Sequence, residues 1–249
     1  MRCALLPATL SATLLGPAVW ADTVESWRLA IQRDDLAVLT NLAAQIDPNV
    51  PDRNGRTALM VAAKYADVPL ITSLLERGAA VNQRSSTGGS ALMFAVLSGE
   101  RAAVHALLAA DATVTQPSRN GWTALILAAA KNELDIVNQL LAAGADVLHA
   151  DVYGFNALMR AVENQHMDVV SRLLREDQLQ MSQRDSLGNG ALHYAASAAN
   201  ERLVQQLMQA GAPNAANHRG MWPVDVLPVT AATSLRDLLR RPDGALASD

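Results

Sequence analysis

The chain has 249 residues, half of them apolar, with a formal net charge of −4. A nucleic-acid backbone calls for a clustered basic surface, so this balance argues against nucleic acid as the main partner. Cys3 is the only cysteine, so no disulfide framework holds the fold together.

Residues 1–21 read as a cleavable export signal. Met1-Arg2 gives a short positive start, and residues 4–15 are apolar, interrupted by Pro7. Val19 and Ala21 are small residues at the two positions a signal peptidase reads, so cleavage after Ala21 is expected. The stretch is short for a transmembrane helix. Cys3 lies too early for lipid attachment and would leave with the signal, so the mature chain is expected to be periplasmic or secreted, with no membrane insertion. Residues 22–51 read as an N-terminal cap, with amphipathic stretches at 27–33 and 36–44.

From residue 52 one phrase recurs. Asn54-Gly55-Arg56-Thr57-Ala58-Leu59 returns as Asn120-Gly121-Trp122-Thr123-Ala124-Leu125 and as Tyr153-Gly154-Phe155-Asn156-Ala157-Leu158. Gly55, Gly88, Gly121, Gly154, Gly188 and Gly220 are spaced by 33, 33, 33, 34 and 32 residues. A period of this size means stacked repeats. The units run 52–84, 85–117, 118–150, 151–184 and 185–216, then a C-terminal cap at 217–241 and a polar tail at 242–249, expected to be disordered.

Each unit holds the same parts. A Gly turn leads to a Thr, Ser or Asn placed to cap a helix that begins Ala-Leu. Asn156 and Gly190 replace the capping Thr or Ser, so weaker helix starts are expected there. Pairs such as Ala62-Ala63 and Ala128-Ala129 keep one face small. A second helix carries apolar residues at helical spacing, as in Leu70, Ile71, Leu74 and Leu75. Gly78, Gly144 and Gly211 fall where that helix stops in a left-handed residue, with Asp111 and Asp177 at the matching positions. The worn phrase at 220–225 leads to a last helix near 234–240.

These motifs resemble the ankyrin repeat. Asp52-Arg53-Asn54-Gly55-Arg56-Thr57-Ala58-Leu59 and Leu74-Leu75-Glu76-Arg77-Gly78-Ala79-Ala80-Val81-Asn82 follow the family pattern, and the match covers about residues 52–226. Ala stands for the family's Pro in the central units. The resemblance implies an all-α fold, an ankyrin-repeat solenoid of helix-turn-helix units joined by short β-hairpin-like turns. It also implies a concave face built from turn tips and first helices, and a structural role for His193.

No motif for a nucleophile, a phosphate loop or a metal site is present, so no catalytic, cofactor or metal residue is expected and the chain reads as a non-enzyme. His105, His149, His166 and His218 fall at different phases of the repeat. Asp52, Asp151 and Asp185 recur at one turn position, where Asp bonds nearby backbone.

Binding residues are sought where packing leaves a free choice. Those positions hold Arg56, Tyr65, Arg119, Trp122, Lys131, Tyr153 and Phe155, and exposed Trp, Tyr and Arg are enriched at interface hot spots. Trp122, Tyr153 and Phe155 are expected to form one exposed patch flanked by Arg56, Arg119 and Lys131. Truncating a ring there should cost binding and little stability. The expected function is a monomeric, non-catalytic module that binds a periplasmic or extracellular protein, as an accessory factor or as an inhibitor or immunity-type protein. An enzyme with a site hidden between repeats would need a buried titratable cluster at non-repeating positions. A purely structural scaffold would carry bland tips.

Overall fold

The computed structural model describes residues 17–241. The expected signal lies largely outside the described residues, as does the tail at 242–249. The described residues contain helices and no strand. They divide into two compact units, one ending at Arg119 and one starting at Asn120.

The first unit begins with α1 (Pro17–Arg33) and α2 (Leu36–Leu42), which pack on each other. α1 runs through the expected cleavage point at Ala21. Two helix pairs follow, α3 (Ala58–Lys64) with α4 (Val68–Glu76) and α5 (Ala91–Ser98) with α6 (Arg101–Ala109). First helices lie side by side, α3 on α5, and second helices do the same, α4 on α6. The second unit repeats the plan with α7 (Ala124–Ala130), α8 (Leu134–Ala142), α9 (Ala157–Glu163), α10 (Met167–Leu173), α11 (Ala191–Ser197) and α12 (Glu201–Gln209). α7 packs on α9, α9 on α11 and α8 on α10. A 3₁₀ turn at Pro223–Val226 lies against α11, and α13 (Thr233–Leu238) ends the described chain.

The helix starts keep the period. Thr57, Ser90 and Thr123 hydroxyls accept from Met60, Met93 and Ile126 N–H at 3.4, 3.4 and 3.3 Å. Asn156 is no weaker, because its side-chain oxygen accepts from Met159 N–H at 2.8 Å. Gly190 has no side chain to offer. Instead its N–H donates to His193 Nδ1 at 3.2 Å, so the α11 start lacks the usual cap, as expected.

Helix ends follow the left-handed reading with one correction. Gly78, Gly144 and Gly211 have φ of +85, +84 and +82°, and Asp111 has +59°. Asp177 is not left-handed. α10 has seven residues where α4, α6, α8 and α12 have nine. It stops at Leu173, and the chain turns through bonds from Glu176 N–H to Leu173 O and Leu179 N–H to Glu176 O. The additional residue of the one 34-residue spacing is absorbed there. A second left-handed series joins the two helices of each pair at Asp34, Ala66, Gly99, Asn132, Gln165 and Ala199.

The small-residue faces bury completely, with Ala62, Ala63, Ala128, Ala129, Ala195 and Ala196 inaccessible. Leu74, Leu107, Leu140, Leu173 and Leu207 are equally buried in the second helices or beside them. Trp27 closes the N-terminal cap, and its indole N–H donates to Val50 O at 3.1 Å.

The turns that carry the candidate site are fixed by the recurrent Asp. Asp151 Oδ1 accepts from Tyr153 and Phe155 N–H at 2.9 and 3.0 Å, and Asp185 Oδ1 accepts from Leu187 and Asn189 N–H at 2.8 Å each. Successive tips then join by backbone, Val152 N–H to Asn120 O and Ser186 N–H to Tyr153 O. Gly154 sits at φ +85°, and a Cβ there would come within 2.7 Å of Asp185 Cα. Only glycine permits that approach.

Candidate functional site

In the second unit the tips bring aromatic rings against a partly buried cation. The Arg160 guanidinium lies 4.0 Å from the Phe155 ring centre and 4.9 Å from that of Trp122. The Phe155 and Tyr194 ring centres are 5.0 Å apart, tilted by 49°. The resulting stack runs Trp122, Arg160, Phe155, Tyr194. Arg160 projects from α9 and Tyr194 from α11, so first helices supply half of the stack and tips the other half.

Two carboxylates hold the stack in place. Arg160 pairs with Asp151 at 2.5 Å and with Glu163 at 3.0 Å. The Asp151 side chain is fully buried and that of Arg160 is 14% exposed. Burial pulls the Arg160 pKa down, but Asp151 and Glu163 outweigh it and hold it above the ordinary arginine value. The Tyr194 hydroxyl donates to Asp185. Burial, then that hydrogen bond, push the phenol well above its usual pKa, so it stays protonated.

Beside the stack, three apolar tip residues face solvent. Val152 and Tyr153 are each 60% exposed and Leu187 is 49% exposed. The structure therefore separates the three rings of the expected patch. Tyr153 is open, whereas Trp122 and Phe155 are half-buried against Arg160.

One residue of the expected cationic rim, Arg56, is held by other partners. Arg56 lies in the first unit, where its Nε, Nη1 and Nη2 donate to Asp52, Asp34 and the Ile31 carbonyl at 3.1, 2.9 and 2.6 Å. Tyr65 and Lys64 reach the same Asp34 at 3.2 and 2.5 Å. Burial raises the Asp34 pKa, but the bond from Lys64, the charge of Arg56 and the Tyr65 hydroxyl together lower it. Arg56 and Tyr65 thus tie the first repeat to the N-terminal cap. Arg119 is exposed in the first unit and holds its tip by an N–H bond to Thr87 O at 2.9 Å. Lys131 is exposed at the end of α7 in the second unit.

Arg160 and Tyr194 were not among the expected site residues, although the sequence carries a signal for both. They stand in register with Val61, Phe94 and Leu127 in the repeat, each nine residues after the turn position of Asp151 or Asp185. A charge in an otherwise apolar row, at a fixed offset from a buried Asp, marks an ion pair.

His149, His166 and His193 each place Nε2 against a carbonyl, of Gly121, Ala130 and Met221, at 2.8, 3.0 and 3.1 Å. Burial, more than any other influence, lowers the His193 pKa. Among the described residues no group of three or more His, Cys, Asp or Glu is placed to hold a metal, and no helix is long and apolar enough to cross a membrane. The arrangement offers rings, apolar tips and directed donors, which suits recognition of a surface.

A family model of ankyrin repeats in three copies matches residues 27–118, 90–151 and 148–218. Among solved structures, the human ASB11 ankyrin repeat domain is similar, with a TM-score of 0.74 and 25% identity. The similarity covers 86% of this chain and 95% of that one. Comparison with curated proteins finds no match.

Proposed function

The chain belongs to the ankyrin repeat family, and from that premise we propose that it is an exported, non-catalytic module that binds a periplasmic or extracellular protein. Ankyrin repeats are protein-interaction modules, and repeat folds offer extended surfaces for such contacts. The observation that carries the reading is the exposure of Val152, Tyr153 and Leu187 on rigid tips beside the ring–cation stack. Clustered apolar residues on a held backbone mark a contact surface. The signal-like residues 1–21 support export. An accessory factor and an inhibitor or immunity-type protein both fit such a surface.

The test uses periplasmic extract and full-length protein. A V152S/Y153S double variant should lose a specific bound protein, identified by mass spectrometry, while its melting temperature stays unchanged. Capture of the same protein at the same yield by the variant would refute the assignment of these tips. Mass spectrometry of the mature protein should find Asp22 at the N-terminus, in a fraction outside the cytoplasm. An intact Met1 in the cytosol would refute export.

A further inference from the structure

Past Tyr194 the same surface of the second unit continues into a pocket of about 150 Å³. Leu187, Met221 and Val226 supply apolar walls beside the Tyr194 ring. A cavity of that order admits a benzene ring.

The polar part of the lining is largely self-satisfied. His193 accepts from Gly190 N–H through Nδ1 and donates from Nε2 to Met221 O, which fixes one neutral tautomer. The Asn217 side chain donates to Asn189 Oδ1 at 2.7 Å and accepts from Arg219 and Met221 N–H at 2.9 and 3.1 Å. The walls are therefore set before a ligand arrives, and little ordering remains for binding to supply.

Two lining groups stand apart. Among the described residues, neither the Ser197 hydroxyl nor the Arg219 guanidinium has a partner, and both residues are exposed. Among the described residues no carboxylate lines the pocket. The nearby Asp185 is bonded by Tyr194 and by backbone N–H groups, and Asp225 is paired with Arg241 at 2.7 Å. The pocket thus joins an apolar space the size of one ring to one unpaired positive charge and one hydroxyl.

We propose that this pocket takes the C-terminal residue of the partner protein, a large apolar side chain together with its own α-carboxylate. The inference rests on the protein-binding reading above. Charge complementarity asks for an anion, and a guanidinium favours a carboxylate. Arg219 and the apolar walls line one small space, so the carboxylate must lie within a bond or two of the side chain. An α-carboxylate meets that condition. An acidic side chain on a neighbouring internal residue stands several bonds away.

The experiment is methyl NMR on the full chain, titrated with N-acetyl-L-phenylalanine, its C-terminal amide and N-acetyl-L-alanine. The acid should give saturable shifts at the Leu187, Met221 and Val226 methyls and bind about threefold tighter than the amide. N-acetyl-L-alanine should bind more weakly than either. Arg219→Gln, an exposed change, should equalise acid and amide. Shifts that do not saturate, that fall elsewhere, or that are equal for acid and amide in the unaltered protein would overturn the proposal. Neither Val152 nor Tyr153 lines the pocket. Loss of capture in the V152S/Y153S variant without probe binding would sink this inference and leave the binding reading intact. Full capture by that variant together with probe binding would do the reverse.

Discussion

The two units answer the same problem differently at positions where the repeat leaves a choice. In the first, Arg56, Lys64 and Tyr65 turn toward Asp34 and join the first repeat to the cap. In the second, Trp122 and Phe155 enclose Arg160, while Val152, Tyr153 and Leu187 stay in water. A residue that the repeat pattern does not constrain can still be held by its neighbours. A cation needs an anion within reach, and both units supply one from the turn, Asp52 and Asp151, to which the first adds Asp34 from the cap.

The core should not distinguish the units. Leu74→Ala in the first and Leu140→Ala in the second should each destabilise by roughly 2–5 kcal/mol in denaturant titrations, because both leucines are fully buried. A neutral result at either would show that its helix phase is misread.

The ion pairs should separate the units. Arg160→Ala leaves the fully buried Asp151 carboxylate without its cation, a loss of about 3 kcal/mol. Arg56→Ala strips the buried Asp52, 2% exposed at its side chain, but leaves Asp34 with Lys64 and Tyr65, and the loss should be closer to about 2 kcal/mol. Equal losses by chemical denaturation would erase the contrast.

Among the rings, Trp122→Ala should cost about 1–2 kcal/mol, since half-burial and contact with Arg160 are both lost. This replaces the sequence-based expectation of a neutral change. Tyr153→Ala should leave the melting temperature unmoved. A neutral Trp122→Ala would mean that the stack carries no stability.

Acid should reach the second unit first. Burial depresses the His193 pKa below 6.5, so the unfolded chain takes up the proton more readily. Its contribution is full above pH 6.5 and falls away as pH drops from 6.5 through the folded value. Asp34 is lowered from 3.8, so its contribution is full above that value and is lost as pH drops from 3.8 through the folded value. Hydrogen-exchange protection factors at Gly190 and His193, which allow for slower intrinsic exchange in acid, should fall below pH 6.5, before those near Asp34 change. His193→Gln should abolish the earlier event.

The smallest effects concern the left-handed links. Ala66 and Ala199 have φ of +55 and +49°. Glycine there should stabilise by less than about 1 kcal/mol, because relief of strain is partly cancelled by added freedom in the unfolded chain. Asp111→Gly should act in the same sense, and a fall in melting temperature would contradict that balance.

Much of this was legible beforehand. The helix starts at Thr57, Ser90 and Thr123 follow from cap chemistry beside an Ala-Leu start, and the stops at Gly78, Gly144 and Gly211 from glycine's ease in the left-handed region. Asp177 misled because one additional residue moved the turn forward. Ala66, Gln165 and Ala199 gave no local warning, since packing of the paired helices imposes their conformation against preference.

Sequence alone determined the period, the helix phase and the buried leucines. Each of those depends on residues a few positions apart, and five copies repeat the signal. Tertiary structure decided which free positions work together. Arg160 meets Trp122 only because α7 and α9 lie side by side, and Arg56 meets Asp34 only because the cap folds against the first repeat. Those contacts join residues of different repeats, and the helix stacking that creates them is not contained in any one copy of the phrase.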